Sequence, residues 1–453
     1  MATGTLALTA AAAGLTFAIA GNPFAPVVPV PSLQPLPMAT AGPQPVVLAN
    51  GSAGAAAADQ LAAAVDEALA TDDLGDRVGV VVAELTSGEV LFSRNPEVPI
   101  TPASTLKILT SAAALEALGP DHRFTTRVVA GESDGEIVLV GGGDPVLVTA
   151  DPLMTGSTSL AELADGAAEA LAAAGTATVR LGFDDTLFSG PAVNPRWRPS
   201  YVPDGVAAPV SALTVDGGRT TPGRAARAGD PAQATADVFA AMLVDRGIEV
   251  DGAPYRAPAP DGAAELAAIE SAPLADVVEY LLAASDNDVS EIVARHVALS
   301  LGREGSSEEA MAAMADTLET LGVDTAGLTL LDGSGLARDN AVPATALVDT
   351  LLAAADPVRP HLRPVLTGLP VASFNGTLQD RVDDAPGEVR AKTGTLSGVH
   401  SLAGVVTSDD GLAYAFAVLA DDAGDALAAR SALDTVAAAL ARCDCAVPTG
   451  AAG

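Results

Sequence analysis

The stretch Ser104-Thr105-Leu106-Lys107 places a hydroxyl and a primary amine three residues apart, directly after Thr101-Pro102-Ala103. Threonine is a favourable N-cap residue and proline suits the first helical position, so these residues predict the start of a helix. Apolar residues continue at helical spacing to Leu118, where Gly119-Pro120 ends the pattern. We therefore predict a helix over residues 102–118. Residues three apart share one helix face, which brings the amine of Lys107 to the oxygen of Ser104.

Ser104 and Lys107 are the residue types of a nucleophile and its activating base. A serine hydroxyl is a weak nucleophile until a neighbour takes its proton, and a lysine can take that proton only when it is neutral. The positive end of the helix dipole disfavours an ammonium in the first turn, so we expect a lowered pKa for Lys107. The chain has 23 Lys and Arg residues, of which only Lys107 and Lys392 are lysines. Because arginine cannot act as a base, the two lysines indicate chemistry at both positions.

Length and charge limit the classes of function. The chain has 453 residues, enough for two or three domains with separate cores. Its net charge is −34, with 57 acidic residues. An acidic surface repels nucleic acid phosphates and anionic lipid headgroups, so we exclude nucleic acid and membrane surfaces as principal partners.

The N-terminal residues resemble an export signal. Residues 6–20 are apolar and end in Ala18-Ile19-Ala20, a small-x-small pattern typical of a signal-peptidase site. The usual basic residues are absent, so the segment either is not cleaved or has further sequence upstream. We predict a signal-like segment at residues 1–20 and a Pro/Gly/Ala-rich linker at residues 21–54. The protein is then exported and acts on the cell-wall side of the membrane, and an uncleaved segment would anchor it there.

Two residue types that often bind metals give no metal signature here. Cys443 and Cys445 are one residue apart, and a disulfide between them would close a strained ring, so we expect these thiols to be unpaired or only labile in their bonding. The four histidines stand in unrelated contexts: His122, His296, His361 and His400. No His-Glu-x-x-His motif occurs. We therefore predict no metal and no cofactor.

Hydrophobic periodicity predicts a first domain in two pieces. A helix at residues 55–69 and a hairpin over residues 78–93 precede the nucleophile helix. The second piece contains two helices joined by Ser285-Asp286-Asn287, further helices, three strands between residues 388 and 420, and a last helix at residues 426–442. We predict an α/β (α+β) fold in which helices flank an antiparallel sheet.

The region between these two pieces differs in pattern. Residues 124–268 contain short strands, turn clusters and two helices, at residues 160–174 and 232–246. We predict an inserted domain at residues 124–268, within a discontinuous domain formed by residues 55–123 and 269–442. Residues 443–453 form a tail. Since no candidate catalytic residue lies in the insert, we expect it to be separable from the chemistry.

Three motifs occur in a fixed order, namely Ser-x-x-Lys at Ser104, Ser-x-Asn at Ser285 and Lys-Thr-Gly at Lys392. Together they are typical of the serine enzymes that recognise penicillin. More specific segments are Gly142-Gly143-Asp144-Pro145, Ile269-Glu270-Ser271-Ala272-Pro273-Leu274, Asp332-Gly333-Ser334-Gly335-Leu336 with Arg338 and Asn340, Asn375-Gly376-Thr377-Leu378, and Lys392-Thr393-Gly394-Thr395-Leu396-Ser397.

With these segments the chain resembles the D-alanyl-D-alanine carboxypeptidase/endopeptidase family, the class C low-molecular-mass penicillin-binding proteins. The resemblance covers residues 55–441 and implies the penicillin-binding/β-lactamase-like transpeptidase fold. It also implies a serine-type peptidase that acts on peptidoglycan stem peptides ending in D-Ala-D-Ala and is acylated by β-lactam antibiotics. No specific protein partner is predicted. The segment between Ser104 and Ser285 is shorter than in members that carry two additional domains.

The same resemblance implies a role for each site residue. Ser104 would be the acylated nucleophile and Lys107 its base. Ser285 would relay a proton to the leaving amine, and Asn287 would hold Lys107 and the substrate amide. Lys392 would supply positive potential and lower the pKa of Lys107. The remaining implied substrate-binding residues are Thr393, Gly394 and Thr395; the threonine hydroxyls would bind the substrate carboxylate, and the N–H groups of Ser104 and Thr395 would form the oxyanion hole.

Two alternatives share these motifs. A β-lactamase would need a group that activates water for deacylation, and no such glutamate can be assigned; the long segment after the nucleophile helix also differs from the compact class A arrangement. A non-catalytic peptidoglycan-binding or penicillin-binding protein would keep the cleft without the chemistry. Covalent reaction with penicillin distinguishes an enzyme from a pure binder. The balance between carboxypeptidase and endopeptidase action depends on the shape of the cleft.

Overall fold

The computed structural model describes residues 55–150, 154, 156, 158–221, 224–409 and 411–443. The predicted signal-like segment and the linker lie outside these residues, as does the tail after residue 443. The described α-helices are α1 (Ala55–Ala68), α2 (Leu106–Leu118), α3 (Leu160–Ala173), α4 (Pro231–Asp245), α5 (Leu274–Ala284), α6 (Asn287–Ser300), α7 (Ser307–Thr320), α8 (Ala344–Ala355), α9 (Pro364–Thr367) and α10 (Ala426–Ala441). The described strands are β1 (Arg77–Glu84), β2 (Val90–Arg94), β3 (Thr125–Ala130), β4 (Glu136–Val140), β5 (Thr178–Asp184), β6 (Glu249–Val250), β7 (Tyr255–Arg256), β8 (Glu265–Glu270), β9 (Val389–Leu396), β10 (Val399–Thr407) and β11 (Ala413–Asp421).

The first sheet is antiparallel and has the strand order β2-β1-β11-β10-β9. Successive side chains of a strand point to opposite faces, and here both faces are covered by helices. On β11, Ala415, Ala417 and Leu419 belong to the core that contains α2 and α8. The alternate residues of β11, including Tyr414 and Phe416, belong to the core that contains α1 and α10. A strand buried on both faces explains the nearly continuous apolar sequence of β11.

The second sheet has the order β6-β5-β4-β3-β8, with β7 also paired to β5. Strand β3 is antiparallel to β4 and β8, whereas β4 and β5 are parallel. Helices α3 and α4 pack on this sheet through Leu163, Phe239 and their neighbours. The chain enters the sheet at β3 and leaves it at β8, where Thr125 lies opposite Glu270. This arrangement confirms the predicted class, an antiparallel sheet flanked by helices with a second, inserted domain.

Two local predictions are wrong. The α-helix begins at Leu106 because residues Ala103–Thr105 form a 3-10 turn. Thr101 does not cap this turn, since its hydroxyl donates to the carbonyl of Arg338 at 3.0 Å. Cys443 is disulfide-bonded, which contradicts only the unpaired form of our expectation that the two thiols are unpaired or labile in their bonding; Cys445 lies outside the described residues.

None of the described helices combines the length and the hydrophobicity that crossing a membrane requires.

Gly404 lets β10 pass close to β9. A Cβ atom at this position would lie 2.0 Å from the carbonyl oxygen of Arg390, which belongs to the paired strand. We expect Gly404→Ala to lower the free energy of unfolding by about 1–3 kcal/mol, the usual cost of overpacking. Chemical denaturation followed by circular dichroism measures the change. The matched control is Gly424→Ala, because a Cβ there meets no atom within 4 Å; equal stability of the two variants would contradict the packing argument.

Candidate active site

Ser104 lies in the 3-10 turn that precedes α2, and this turn is held from two sides. The carbonyl of Pro102 accepts hydrogen bonds from the hydroxyls of Thr105 at 2.7 Å and of Ser401 at 2.6 Å. Ala103 has a φ of 48°, a left-handed conformation that is unfavourable for a residue with a side chain. Such backbone strain occurs where the surrounding structure imposes it, and here it fixes the residue directly before the nucleophile candidate.

Lys107 lies in the first turn of α2 and its side chain is fully buried. Its Nζ donates to Ser104 Oγ at 3.0 Å, to Asn287 Oδ1 at 2.8 Å and to the carbonyl of Ser334 at 2.7 Å. The amide of Asn287 is itself oriented, since its Nδ2 donates to the carbonyl of Val206 at 2.9 Å. The amine therefore has three fixed oxygen neighbours, one of which is the serine hydroxyl.

The pKa of Lys107 is lowered to about 8, as its sequence position suggested, but burial is the main cause. Lys392, which we expected to lower this pKa, is not among the causes. Four carboxylates act in the opposite direction and raise the pKa: Asp332, Glu291, Asp286 and Asp288. A pKa near 8 leaves a usable fraction of neutral amine at neutral pH, which a general base requires.

Ser285 and Asn287 are placed by the link between α5 and α6. Ser285 ends α5 in the left-handed region, with a φ of 56°. Asp286 caps α6, because its carboxylate accepts from the N–H groups of Asp288 and Val289. This sharp turn directs the hydroxyl of Ser285 and the amide of Asn287 to the two lysines.

Lys392 is fully buried in the interior of β9. Its Nζ donates to Ser285 Oγ at 2.8 Å and to the carbonyl of Thr393 at 3.0 Å. None of the acidic side chains in the described residues forms an ion pair with it. Burial and the neighbouring charge of Lys107 lower the pKa of Lys392 well below its usual value. The repulsion between the two lysines thus disfavours the protonated form of Lys392.

The Thr393-Gly394-Thr395 segment runs along β9 beside the nucleophile turn. A Cβ at Gly394 would lie 3.1 Å from the backbone nitrogen of Ser104 and 2.0 Å from Ser401 Oγ. The Thr393 hydroxyl donates to Thr377 Oγ1 at 2.8 Å. Thr395 lies opposite His400 in the strand pairing and is half-buried. Only glycine permits this close approach between β9 and the turn.

The structure thus brings the residues of the three motifs together at one place. Hydrogen bonds join Ser104 to Lys107, Lys107 to Asn287, and Lys392 to Ser285. Hydroxyl, amine and amide groups dominate this site. In the described part of the chain, no group of three or more His, Cys, Asp or Glu side chains is arranged to hold a metal ion.

The sequence did not indicate the third acceptor of Lys107, the carbonyl of Ser334, or the segment that orients Asn287. Ser334 was noted only as part of a family segment, and its backbone carbonyl leaves no signal in the sequence. Val206 belongs to the predicted insert, where nothing in its context indicated a contact with Asn287. Thr377 is a further residue of the site, since it accepts a hydrogen bond from Thr393. Its position after the glycine of a family segment is a sequence signal that could have indicated it.

The predicted insert contacts the site directly. Besides the carbonyl of Val206, the N–H of Ala208 donates to Asp288 Oδ1 at 2.6 Å. Arg227 forms a buried ion pair with Asp288 at 2.9 Å. These contacts hold the first turn of α6, which carries Asn287. Our expectation that residues 124–268 are separable from the chemistry therefore does not hold, because their removal would leave these buried polar groups without partners.

The chain is similar to known carboxypeptidases over most of its length. The model of the D-Ala-D-Ala carboxypeptidase 3 (S13) family matches residues 61–234 and 220–440. A carboxypeptidase of Mycobacterium tuberculosis is 38% identical over 92% of this chain and 90% of its own length. The carboxypeptidase DacB of Mycolicibacterium smegmatis is 37% identical over 90% of this chain and 89% of its own. A D-alanyl-D-alanine carboxypeptidase of Actinomadura is 31% identical, with 83% of each chain covered.

The fold has a solved counterpart. The crystal structure of penicillin binding protein 4 from Haemophilus influenzae superposes with a TM-score of 0.69 and covers 83% of this chain and 97% of that chain. Its sequence identity is 22%, so this likeness concerns the fold alone.

Gly394 provides a test of the close approach between β9 and Ser104. Gly394→Ala would push the strand away from the nucleophile turn, because its new Cβ would contact the carbonyl oxygen of Pro102 at 2.7 Å. We expect the rate at which benzylpenicillin acylates the protein to fall by about 10²-fold, as for a reacting group displaced by about 1 Å. The measurement is the second-order acylation rate, with Gly424→Ala as the control. An unchanged rate in the Gly394 variant would show that the contact is unimportant for reactivity.

Proposed function

This chain belongs to the D-Ala-D-Ala carboxypeptidase 3 (S13) family and is a serine-type peptidase, and we propose that Ser104 carries its acyl-enzyme chemistry. The substrates proposed are peptidoglycan stem peptides that end in D-Ala-D-Ala, or that are cross-linked through such a D-Ala. The supporting observation is the buried amine of Lys107, which lies 3.0 Å from Ser104 Oγ and between two other oxygen acceptors.

The three acceptors of Lys107 are not equivalent once the amine is neutral. A neutral amine has two N–H donors and one lone pair. The carbonyl oxygens of Asn287 and Ser334 can only accept, so they take the two N–H groups. The lone pair is then directed to the hydroxyl of Ser104, which can donate its proton. This arrangement makes Lys107 the general base that activates Ser104.

Acylation joins Ser104 to the substrate and releases an amine. Ser104 Oγ forms a bond to the carbonyl carbon of the substrate while its proton passes to Lys107. The N–H groups of Ser104 and Thr395 stabilise the resulting oxyanion, as electrostatic stabilisation of this kind requires. The C–N bond breaks as the leaving amine takes the proton of the Ser285 hydroxyl, which Lys392 contacts at 2.8 Å. The proton that Lys107 took from Ser104 restores the Ser285 hydroxyl, so Lys107 is neutral again. Water, deprotonated by Lys107, hydrolyses the ester and regenerates Ser104.

The other end of the site suits a carboxylate. Thr393 and Thr395 offer hydroxyl donors on β9, and Lys392 offers positive charge when it is protonated. A local cationic pocket matters in a chain with a net charge of −34, since the remaining surface repels anions. A substrate carboxylate that replaces water beside Lys392 would also favour the ammonium form of this lysine.

β-Lactam antibiotics would react at the same hydroxyl. Opening of the β-lactam ring by Ser104 gives an ester of the same kind as the acyl-enzyme, and we propose that this ester is long-lived. The relatives named carboxypeptidases favour a peptidase over a β-lactamase, and the contact between the partly exposed Ser104 and the buried Lys107 favours an enzyme over a pure binding protein. No cofactor takes part in this mechanism.

The site of action follows from the substrate. Peptidases of the cell wall act outside the cytoplasm, and so does this chain. We propose that residues 1–20 direct its export and that an uncleaved segment keeps it near the wall. We also propose boundaries of the inserted domain at residues 124 and 268, with a role in substrate selection, since its segment around Val206 contacts the Ser-x-Asn motif.

Purified muropeptides test the function directly. We expect the protein to remove one alanine from monomeric pentapeptides, to convert cross-linked dimers to monomers, or to do both, because the nucleophile acts on a D-Ala carbonyl in each case. Mass analysis of the products distinguishes these outcomes. Ser104→Ala is the control and should be inactive; it should also lose the single penicillin adduct seen by intact-mass analysis. Rapid turnover of penicillin without action on muropeptides would favour a β-lactamase instead.

The two lysines allow a matched pair of substitutions. Arginine keeps the charge but cannot become neutral, so Lys107→Arg should reduce penicillin acylation by about 10²–10⁴-fold, as loss of a general base does. Lys392→Arg keeps the positive charge that binds the carboxylate, so its loss should be smaller. Second-order acylation rates across pH measure both effects, with circular dichroism to confirm folding. Equal inactivity of the two variants would show that the lysines do not have separate roles.

A further inference from the structure

The carbonyl that receives an N–H of Lys107 belongs to a peptide group with a second fixed partner. Ser334 supplies this carbonyl, and the N–H of the same peptide group, on Gly335, donates to Asp332 Oδ1 at 2.8 Å. A peptide group is planar and trans, so its C=O and N–H point in opposite directions. Asp332 and Lys107 therefore hold the two ends of one rigid group.

The carboxylate of Asp332 is itself fully engaged. It is completely buried, and each of its oxygens accepts two hydrogen bonds. Oδ1 accepts from Gly335 N and Asn340 Nδ2, both at 2.8 Å. Oδ2 accepts from Ala337 N at 2.5 Å and from the indole Nε1 of Trp197 at 2.8 Å. Four donors around one carboxylate leave it no freedom to rotate, and they suit its ionised, acceptor-only form.

The peptide group before Ser334 is fixed as well. The carbonyl of Gly333 accepts from the hydroxyls of Thr110 on α2 and Ser290 on α6, each at 2.7 Å. The N–H of Ser334 donates to Glu291 Oε1 at 2.8 Å.

On the other side of this carbonyl the backbone passes very close to the nucleophile turn. A Cβ on Gly335 would lie 1.9 Å from the carbonyl oxygen of Ala103, and Gly335 has a φ of 84°. Glycine is required here for both reasons. The loop at Gly335 is thus packed against the turn that carries Ser104. The hydrogen bonds described above fix the orientation of the Ser334 carbonyl.

We propose that Asp332 is a positioning residue for the base: through the Ser334–Gly335 peptide group it holds the carbonyl that directs the lone pair of Lys107 to Ser104. The inference rests on the function proposed above and adds a fourth segment to the three motifs. Asp332 touches neither the substrate nor the reacting atoms; it acts through this peptide group and through its negative charge near Lys107.

The charges around Lys107 determine what loss of Asp332 should do to the pH dependence. Carboxylates face Lys107 from the loop (Asp332) and from α6 and its cap (Glu291, Asp286 and Asp288). Lys392 faces it from β9. Among the charges that raise the pKa of Lys107, Asp332 is the largest. Without this charge the ammonium is less stable, so the pKa of Lys107 should fall below about 8.

The test is Asp332→Asn. Asparagine keeps the shape but turns an NH₂ group toward N–H donors, which breaks part of the four-donor arrangement. We expect the second-order rate of penicillin acylation to fall by about 10²-fold, the size associated with a misplaced reacting group. We expect the acidic limb of the wild-type pH–rate profile near pH 8, the pKa of Lys107, and the limb of the variant at lower pH. A purely structural role would reduce the reactive fraction and leave this limb in place.

Two further variants complete the experiment. Asp144→Asn is the matched control, because Asp144 is also buried and accepts backbone N–H groups, but it does not act on Lys107. Burial raises its pKa to about 7, so asparagine replaces a group that is often protonated, and the limb should not move. Asn340→Ala removes a donor to Asp332 but keeps the charge of the carboxylate, so the acylation rate should fall by less than in Asp332→Asn and the limb should stay in place. This variant tests the positioning role if Asp332→Asn does not fold.

The outcomes separate this inference from the function on which it rests. If wild-type protein forms no ester on Ser104, the proposed function fails. If the wild type reacts, but the Asp332 variant keeps the wild-type rate or the wild-type limb, the positioning role is overturned and the proposed function stands. A wild-type acylation rate in a folded Asn340→Ala variant would overturn the positioning role when the Asp332 variant cannot be prepared.

Discussion

The arrangement of the site depends on one buried amine and the three oxygen atoms around it. An ammonium that loses all contact with water is unstable unless every N–H has an acceptor, and Lys107 has three acceptors from three distant parts of the chain. The acceptors come from the nucleophile turn, from the start of α6 and from the loop after Asp332. Folding of these segments against one another is therefore also the assembly of the catalytic base.

The same constraint explains why so much of the surrounding backbone is unusual. Ala103 and Ser285 both adopt left-handed conformations, and Gly335 and Gly394 both lie where a Cβ would collide with the nucleophile turn. Strain of this kind is unfavourable locally and has to be offset by packing elsewhere. Here the offset comes from helices α2 and α6, whose buried faces belong to one large core.

The inserted region takes part in this assembly, although the three motifs lie outside it. Val206 orients the amide of Asn287, and Arg227 pairs with the buried carboxylate of Asp288. A buried ion pair of this kind contributes more to a fixed geometry than to net stability, since desolvation offsets the attraction between its charges. The segments between β5 and α4 thus support the first turn of α6, which carries Asn287.

Local sequence patterns determined the elements and the fold class. The glycine after Leu118 gave the end of α2, and the i,i+3 spacing gave the contact between Ser104 and Lys107, because both depend on neighbours in the chain. The start of α2 could not be predicted, since Thr101 forms its hydrogen bond with Arg338, 237 positions away. The acceptors Asn287 and Ser334 lie 180 and 227 positions from Lys107, and burial sets its lowered pKa. Only the tertiary structure decides such contacts, because packing brings these groups together and removes the water that would otherwise replace each partner.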